Sequence, residues 1–170
     1  MATPPYVQKM RRLVGHDLLM LSSVSAVTFN DAGEILLGQR SDNGLWSTIS
    51  GILEPGEQPA DAILREVQEE TGVDAVIERL AGVALNQHIY PNGNVCHFVN
   101  TWFRCRAVGG VARVNDDESL AVGWFKPDAL PQLGAFSMLK IETALKDETS
   151  AWYAQPGEAH PALHVDEFQI

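Results

Sequence analysis

The chain has 170 residues, of which 45% are hydrophobic and 20% charged, which suits one globular domain with a real core. Its net charge of −10 argues against a non-specific nucleic-acid binder and against docking on anionic membranes. An anionic substrate would need something other than bulk charge to attract it, and a bound divalent cation would serve.

The N-terminus, MATPPYVQKMRRLVGHDLLML, has no uninterrupted apolar run before its basic residues, so no signal peptide is expected. No window approaches the ~18 apolar residues that would mark a membrane span. Tyr6, Met10, Leu13 and Val14 recur at helical spacing and predict a short helix over 5–14, stopped by Gly15. Residues 22–30 and 34–40 read as strands joined by the turn NDAG. After SDNG comes a short strand, LWSTI (45–49). SGILEPGEQP (50–59), with two glycines and two prolines, reads as a loop.

ADAILREVQEETG (60–72) is predicted helical, with Ala60, Ile63, Leu64 and Val67 as its apolar stripe. Pro59 suits its first turn and Gly72 its end. Two long extended runs follow between 76 and 107, joined by YPNGN, whose Asn92-Gly93 pair is a hairpin signal. Cys96 and Cys105 share the second run, nine residues apart and on opposite faces, too distant to bridge. Two reduced, buried thiols fit a cytoplasmic protein. VGWF (122–125) is another strand. FSMLKIETALKD (136–147) is a second amphipathic helix, with Ser137 as its cap and Met138, Ile141 and Leu145 facing the core. Residues 151–170 show no period and read as a surface tail. The expectation is a single domain over 1–150, in the α/β class, with a mixed sheet between helices in an α/β/α sandwich.

The helix 60–72 carries an electrostatic puzzle. REVQEE (65–70) crowds Glu66, Glu69 and Glu70 within about 100° of one another, and like charges at this spacing repel. Glu57 can fold back over the same region, and Arg65 alone cannot balance four carboxylates. From REVQEE by itself two readings stay open: a solvated, salt-bridged face, or hard oxygen ligands awaiting Mg²⁺ or Mn²⁺. The wider spacing separates them. Gly51, Glu57, Arg65, Glu66, Val67, Glu69, Glu70, Gly72 and Val73 fit G-x5-E-x7-R-E-U-x-E-E-x-G-U, U being a bulky aliphatic residue. A chance fit at a given start is on the order of one in 10⁹ at average residue usage.

This 51–73 box resembles the signature of the Nudix (MutT-like) hydrolases. The resemblance implies Mg²⁺- or Mn²⁺-dependent hydrolysis of a nucleoside diphosphate linked to a moiety X, on an α/β/α sandwich. It makes Glu69 and Glu70 the main metal ligands and Glu66 a further ligand or the group that positions the attacking water. Glu57 becomes a further ligand or holds Arg65, Arg65 orients the carboxylates, and the carbonyl of Ser50 or Gly51 completes the shell. Two departures stand out. Ser50 replaces a glycine common in relatives, and Ala121 stands where related sequences with DDES often have Glu. Asp116, Asp117 or Glu118, with Glu118 first, is the candidate substitute. Arg40 is a candidate phosphate contact or a surface ion-pair partner. Trp46 is a candidate for stacking on a base or for core packing, and His88, Tyr90 and His97 flank the hairpin near the expected cleft.

The implied substrates are ADP-ribose-type sugars or nucleoside triphosphates, including 8-oxo-dGTP, with no nucleic-acid polymer and no membrane as partner. Relatives are often homodimers, and the apolar N-terminal segment is a candidate contributor to one. The alternatives are a non-catalytic nucleotide-ligand sensor on the same fold, against which the intact box speaks, and an isoprenoid diphosphate isomerase, which would need a catalytic cysteine that neither Cys96 nor Cys105 resembles.

Overall fold

The computed structural model describes residues 4–90, 92–116, 119–157 and 159–163. Helix α1 (Pro5–Val14) has Pro5 in its first turn and ends at Gly15, whose φ is 62°. Arg11 moors it, donating to the carbonyls of Gly15, Asp17 and Val95 and to Cys96 Sγ. Strand β1 (Leu19–Phe29) turns into β2 (Ile35–Arg40) through Asn30, whose side-chain oxygen accepts the Ala32 and Glu34 amides. Next come β3 (Trp46–Ser47), β4 (Ile49–Ile52), α2 (Pro59–Thr71), β5 (Val73–Ile89) and β6 (Val95–Gly110). The chain continues through β7 (Ser119–Phe125), α3 (Ala135–Leu145), β8 (Trp152–Tyr153) and a 3₁₀ turn at Pro161–Leu163.

Among the described residues eight strands form one sheet of order β3-β2-β1-β6-β5-β8, with β4 also beside β1 and β7 beside β2. β1 runs parallel to β6 along its whole length and antiparallel to β4, so the sheet is mixed, as expected. Alternation along the strands sorts the core into layers. Val24, Ala26, Leu36 and Cys105 face α2 through Ala62, Ile63 and Val67. Val27, Ile35, Leu37 and Trp102 face α3 through Ile141 and Ala144. Leu19, Leu21, Cys96 and Phe98, on the α3 side, are covered by Val7 of α1. The layering is an α/β/α sandwich. The two thiols sit on opposite faces of β6, both free and buried.

Several local expectations are corrected. Residues 50–52 are not loop: with Ile49 they pair with Ser23–Ala26 of β1, because a glycine in a ladder needs only a partner strand to supply the hydrogen bonds. Ala60 is exposed and Ala62 buried, so the inner stripe of α2 is rotated. Helix α3 starts at Ala135, one residue before the predicted range, with Gly134 at the N-cap accepting the Met138 amide, so Ser137 is a buried first-turn residue rather than the cap. Its inner face carries Leu139, Lys140, Ile141, Thr143 and Ala144, leaving Leu145 exposed. Arg79 and Arg104 clamp its end by donating to the carbonyls of Thr143, Ala144 and Lys146. In the segment read as a surface tail, Trp152 and Tyr153 pair with Gly82 and Val83 of β5, and Trp152 packs on the core.

Candidate active site

The antiparallel pairing of β4 with β1 places Gly51 beside Val24, under the α2 layer. The absent side chain is filled from above by Glu66, whose carboxyl carbon would be 2.0 Å from a Cβ on Gly51. Glu66 is therefore 8% exposed, not on the outward face that its spacing from the apolar stripe predicted. A carboxylate this buried requires compensation. Arg65 supplies part of it, donating from NH1 to Glu66 Oε1 at 3.0 Å and to Glu69 Oε2 at 2.9 Å. Its Nε and NH2 grip both oxygens of Glu57 at 2.8 and 3.0 Å, a bidentate pair. Glu57 is presented by a turn in which its amide donates to the Glu54 carbonyl and its carboxylate accepts the Glu54 amide. Its hydrogen bonds to Arg65 hold the Glu57 carboxyl below its ordinary pKa, and the same bonds, then those to Glu69, keep Arg65 protonated.

Three of the four predicted carboxylates, Glu57, Glu66 and Glu69, thus meet at one guanidinium. Glu70 lines an adjoining cleft with Ser50, Thr48 and Ser47 of the β3–β4 segment, Gly38 and Arg40 of β2, and Ser119 of β7. The cleft holds about 50 Å³. A water needs roughly 10–15 Å³ by this measure, so the space suits a hydrated ion or a phosphate group rather than a whole nucleotide. Arg40 lines it while its guanidinium holds both oxygens of Asp42, which lowers the Asp42 pKa. Trp46 lies edge-on to Phe125, with ring centroids 4.7 Å apart, and packs on the α3-side core. His88 and Tyr90 also stack edge-on at 4.3 Å; burial first, then the charge of Arg40, lowers the His88 pKa. Glu118 and Asp117 lie outside the described residues, and Asp116 accepts the Ser119 amide.

Among the described residues no three His, Cys, Asp or Glu side chains already stand as a metal cluster. The donor set nevertheless fits a hard divalent cation. It consists of carboxylate oxygens, gathered beside a sheet glycine whose missing side chain leaves room for one of them.

Two further contributors were not legible from spacing. Asn115 donates from Nδ2 to the carbonyls of Gln68 and Glu69, and its amide donates to that of Glu70. It closes the C-terminal end of α2, the turn that carries the paired glutamates; only an Asn at the head of an acidic loop marked it in the sequence. Lys140 lies behind Thr48, and its place on a helix marked it as nothing more than a polar residue.

The NUDIX domain model matches residues 20–152. Over 110 residues the chain is 37% identical to a MutT-like protein of Streptomyces ambofaciens, covering 65% of this chain and 66% of that one. It is 30% identical over 167 residues to the human 8-oxo-dGDP phosphatase NUDT18, covering 94% of this chain and 46% of that one. These curated relatives are therefore matched over less than two thirds of their own length. Among solved structures it is similar to an ADP-ribose pyrophosphatase of Streptococcus suis, with a TM-score of 0.59, 25% identity, and coverage of 77% of this chain and 96% of that one. The family match spans most of the chain and takes in the whole 51–73 box, so the chain belongs to the Nudix family of hydrolases.

Proposed function

We propose that this protein hydrolyses a nucleoside diphosphate linked to a moiety X, with Mg²⁺ or Mn²⁺ as cofactor. The observation that carries the reading is the meeting of Glu57, Glu66 and Glu69 at Arg65, over the side-chain-free face of Gly51. Glu57, Glu66, Glu69, Glu70 and the Gly51 carbonyl would hold the metal, which when bound neutralises a diphosphate and lowers the pKa of water.

The chain's own groups do the rest. Arg65 keeps three carboxylates in register before substrate arrives. Glu66, fixed by Gly51 and Arg65, takes the proton from the attacking water. A P–O bond forms to one phosphorus, the bridging P–O bond breaks, and the other phosphate leaves with its substituent. Arg40 contacts the phosphates at the cleft. Both substrate types named for the similar proteins, an 8-oxo-deoxynucleotide and ADP-ribose, are nucleoside diphosphates or derivatives of one, which supports that class and leaves X open.

The test is a turnover screen with Mg²⁺ against ADP-ribose, NADH, dinucleoside polyphosphates, ordinary dNTPs and 8-oxo-dGTP, with products identified by mass. Metal-dependent cleavage within a phosphoric anhydride is expected. Tight binding of one of these nucleotides with no cleavage of any would replace the reading with a ligand sensor.

A further inference from the structure

We propose that Lys140 is a positioning residue of the substrate cleft: its buried ammonium holds Thr48 in the cleft wall and adds its field to that of Arg40, favouring an anionic ligand. The inference builds on the reading of the substrate as a diphosphate derivative.

Helix α3 turns Lys140 inward, and only 5% of the residue is exposed. Nζ donates to Ser25 Oγ at 2.9 Å and Thr48 Oγ1 at 3.3 Å, and lies 4.4 Å from the ring centroid of Phe136. Both hydrogen-bond acceptors are neutral hydroxyls. Ser25 is itself fixed, because Asn100 bridges it to Ser23 across β1 and β6. The lysine is thus braced on a rigid polar strip of the sheet on one side and against Thr48 on the other. Thr48 lines the cleft together with Ser47, Ser50 and Arg40.

A fold requiring only packing at this position would do better with an apolar chain, since a buried ammonium facing neutral partners is costly. Burial pushes the Lys140 pKa down to about 7, and the charge of Arg40 acts in the same direction. The charged groups facing this region are Arg40 from β2, with its partner Asp42, and Glu70 from α2, which lines the same cleft; Ser25, Thr48, Asn100 and Phe136 are neutral. Two cations close enough to repel each other across a cleft wall are relieved by an anion placed between them and the solvent.

The experiment compares wild type with Lys140→Met and Lys140→Arg, measuring affinity for inorganic pyrophosphate with Mg²⁺ by calorimetry from pH 6 to 8.5. This readout does not require turnover, so it stands even if the substrate screen fails. The Met variant is expected to bind about tenfold more weakly at pH 6, the size of effect of one charge about 10 Å away at an effective dielectric of about 20. The gap should close by pH 8.5 as the wild-type lysine loses its proton, and the Arg variant should keep its affinity across the range. With any hydrolysed substrate, the Met variant should raise KM and leave kcat nearly unchanged. Its melting temperature should rise at pH 6, where wild type holds the buried charge, and the rise should shrink towards pH 9. Equal affinity of wild type and Lys140→Met at every pH, or no binding of pyrophosphate by wild type, overturns the proposal.

Discussion

A β-carbon on Gly51 would fall 2.0 Å from the carboxyl carbon of Glu66, so strand and helix share a single space that only one of them can fill. The backbone at Gly51 is ordinary strand, and alanine is excluded by that carboxylate rather than by conformation. Gly51→Ala should fold, because a flexible glutamate can swing away. The swing takes Glu66 from Arg65, and a displacement of about 1 Å near the chemistry costs on the order of 100-fold. The check is kcat/KM beside the far-ultraviolet circular dichroism spectrum; retained activity would show that the placement of Glu66 is immaterial.

Arg65→Ala removes the guanidinium that reaches Glu57, Glu66 and Glu69. Without metal the variant should melt below wild type, since the three carboxylates are left facing one another. Mg²⁺ then has more repulsion to relieve. Thermal melts with and without 10 mM-scale Mg²⁺, a range chosen on the order of a weak site, should show a larger upward shift in the variant than in wild type. An equal shift would separate the metal from this cluster.

Glu69→Gln and Glu70→Gln should keep the fold and lose nearly all turnover, because both side chains leave α2 on its solvent and cleft side rather than in the core. A chelator should lower the melting temperature of wild type, and each Gln variant should respond less. Unfolding of either variant, or full activity, would contradict the assignment.

Away from the site, Gly82 and Trp102 make a second exclusive contact. A Cβ at Gly82 would stand 2.2 Å from the ring of Trp102, which is fully buried and donates from Nε1 to Thr143. The indole has no way out, unlike Glu66. Gly82→Ala should cost about 1–3 kcal/mol by overpacking, read as a lower urea midpoint. An unchanged midpoint would mean that the core here is looser than its geometry.

What the sequence made legible was what is encoded locally. Pro59 and Gly72 bracket α2, Asn92-Gly93 turns the long hairpin, and the box spacing singled out Arg65 with its carboxylates. The residues that resisted reading depend on partners far along the chain. Residues 50–52 look like loop because Gly51 and Pro55 dominate their neighbourhood, yet β1 supplies a ladder for them. Glu66 looks solvent-facing on an isolated helix and is buried only because a glycine lies opposite. Lys140 looks like any polar helical residue until Ser25 and Thr48, 115 and 92 positions away, close on its ammonium. Local periodicity does not contain such distances.

The pairing of β4 with β1 also sets a timescale. Loops open on their own, but a ladder beside the central strand opens only with the sheet. The amides of residues 50–52 should therefore exchange with deuterium nearly as slowly as those of β1, while those of 54–58 exchange early. One side of the carboxylate cage is thus as long-lived as the fold itself, and its opening falls to the Glu54–Glu57 turn.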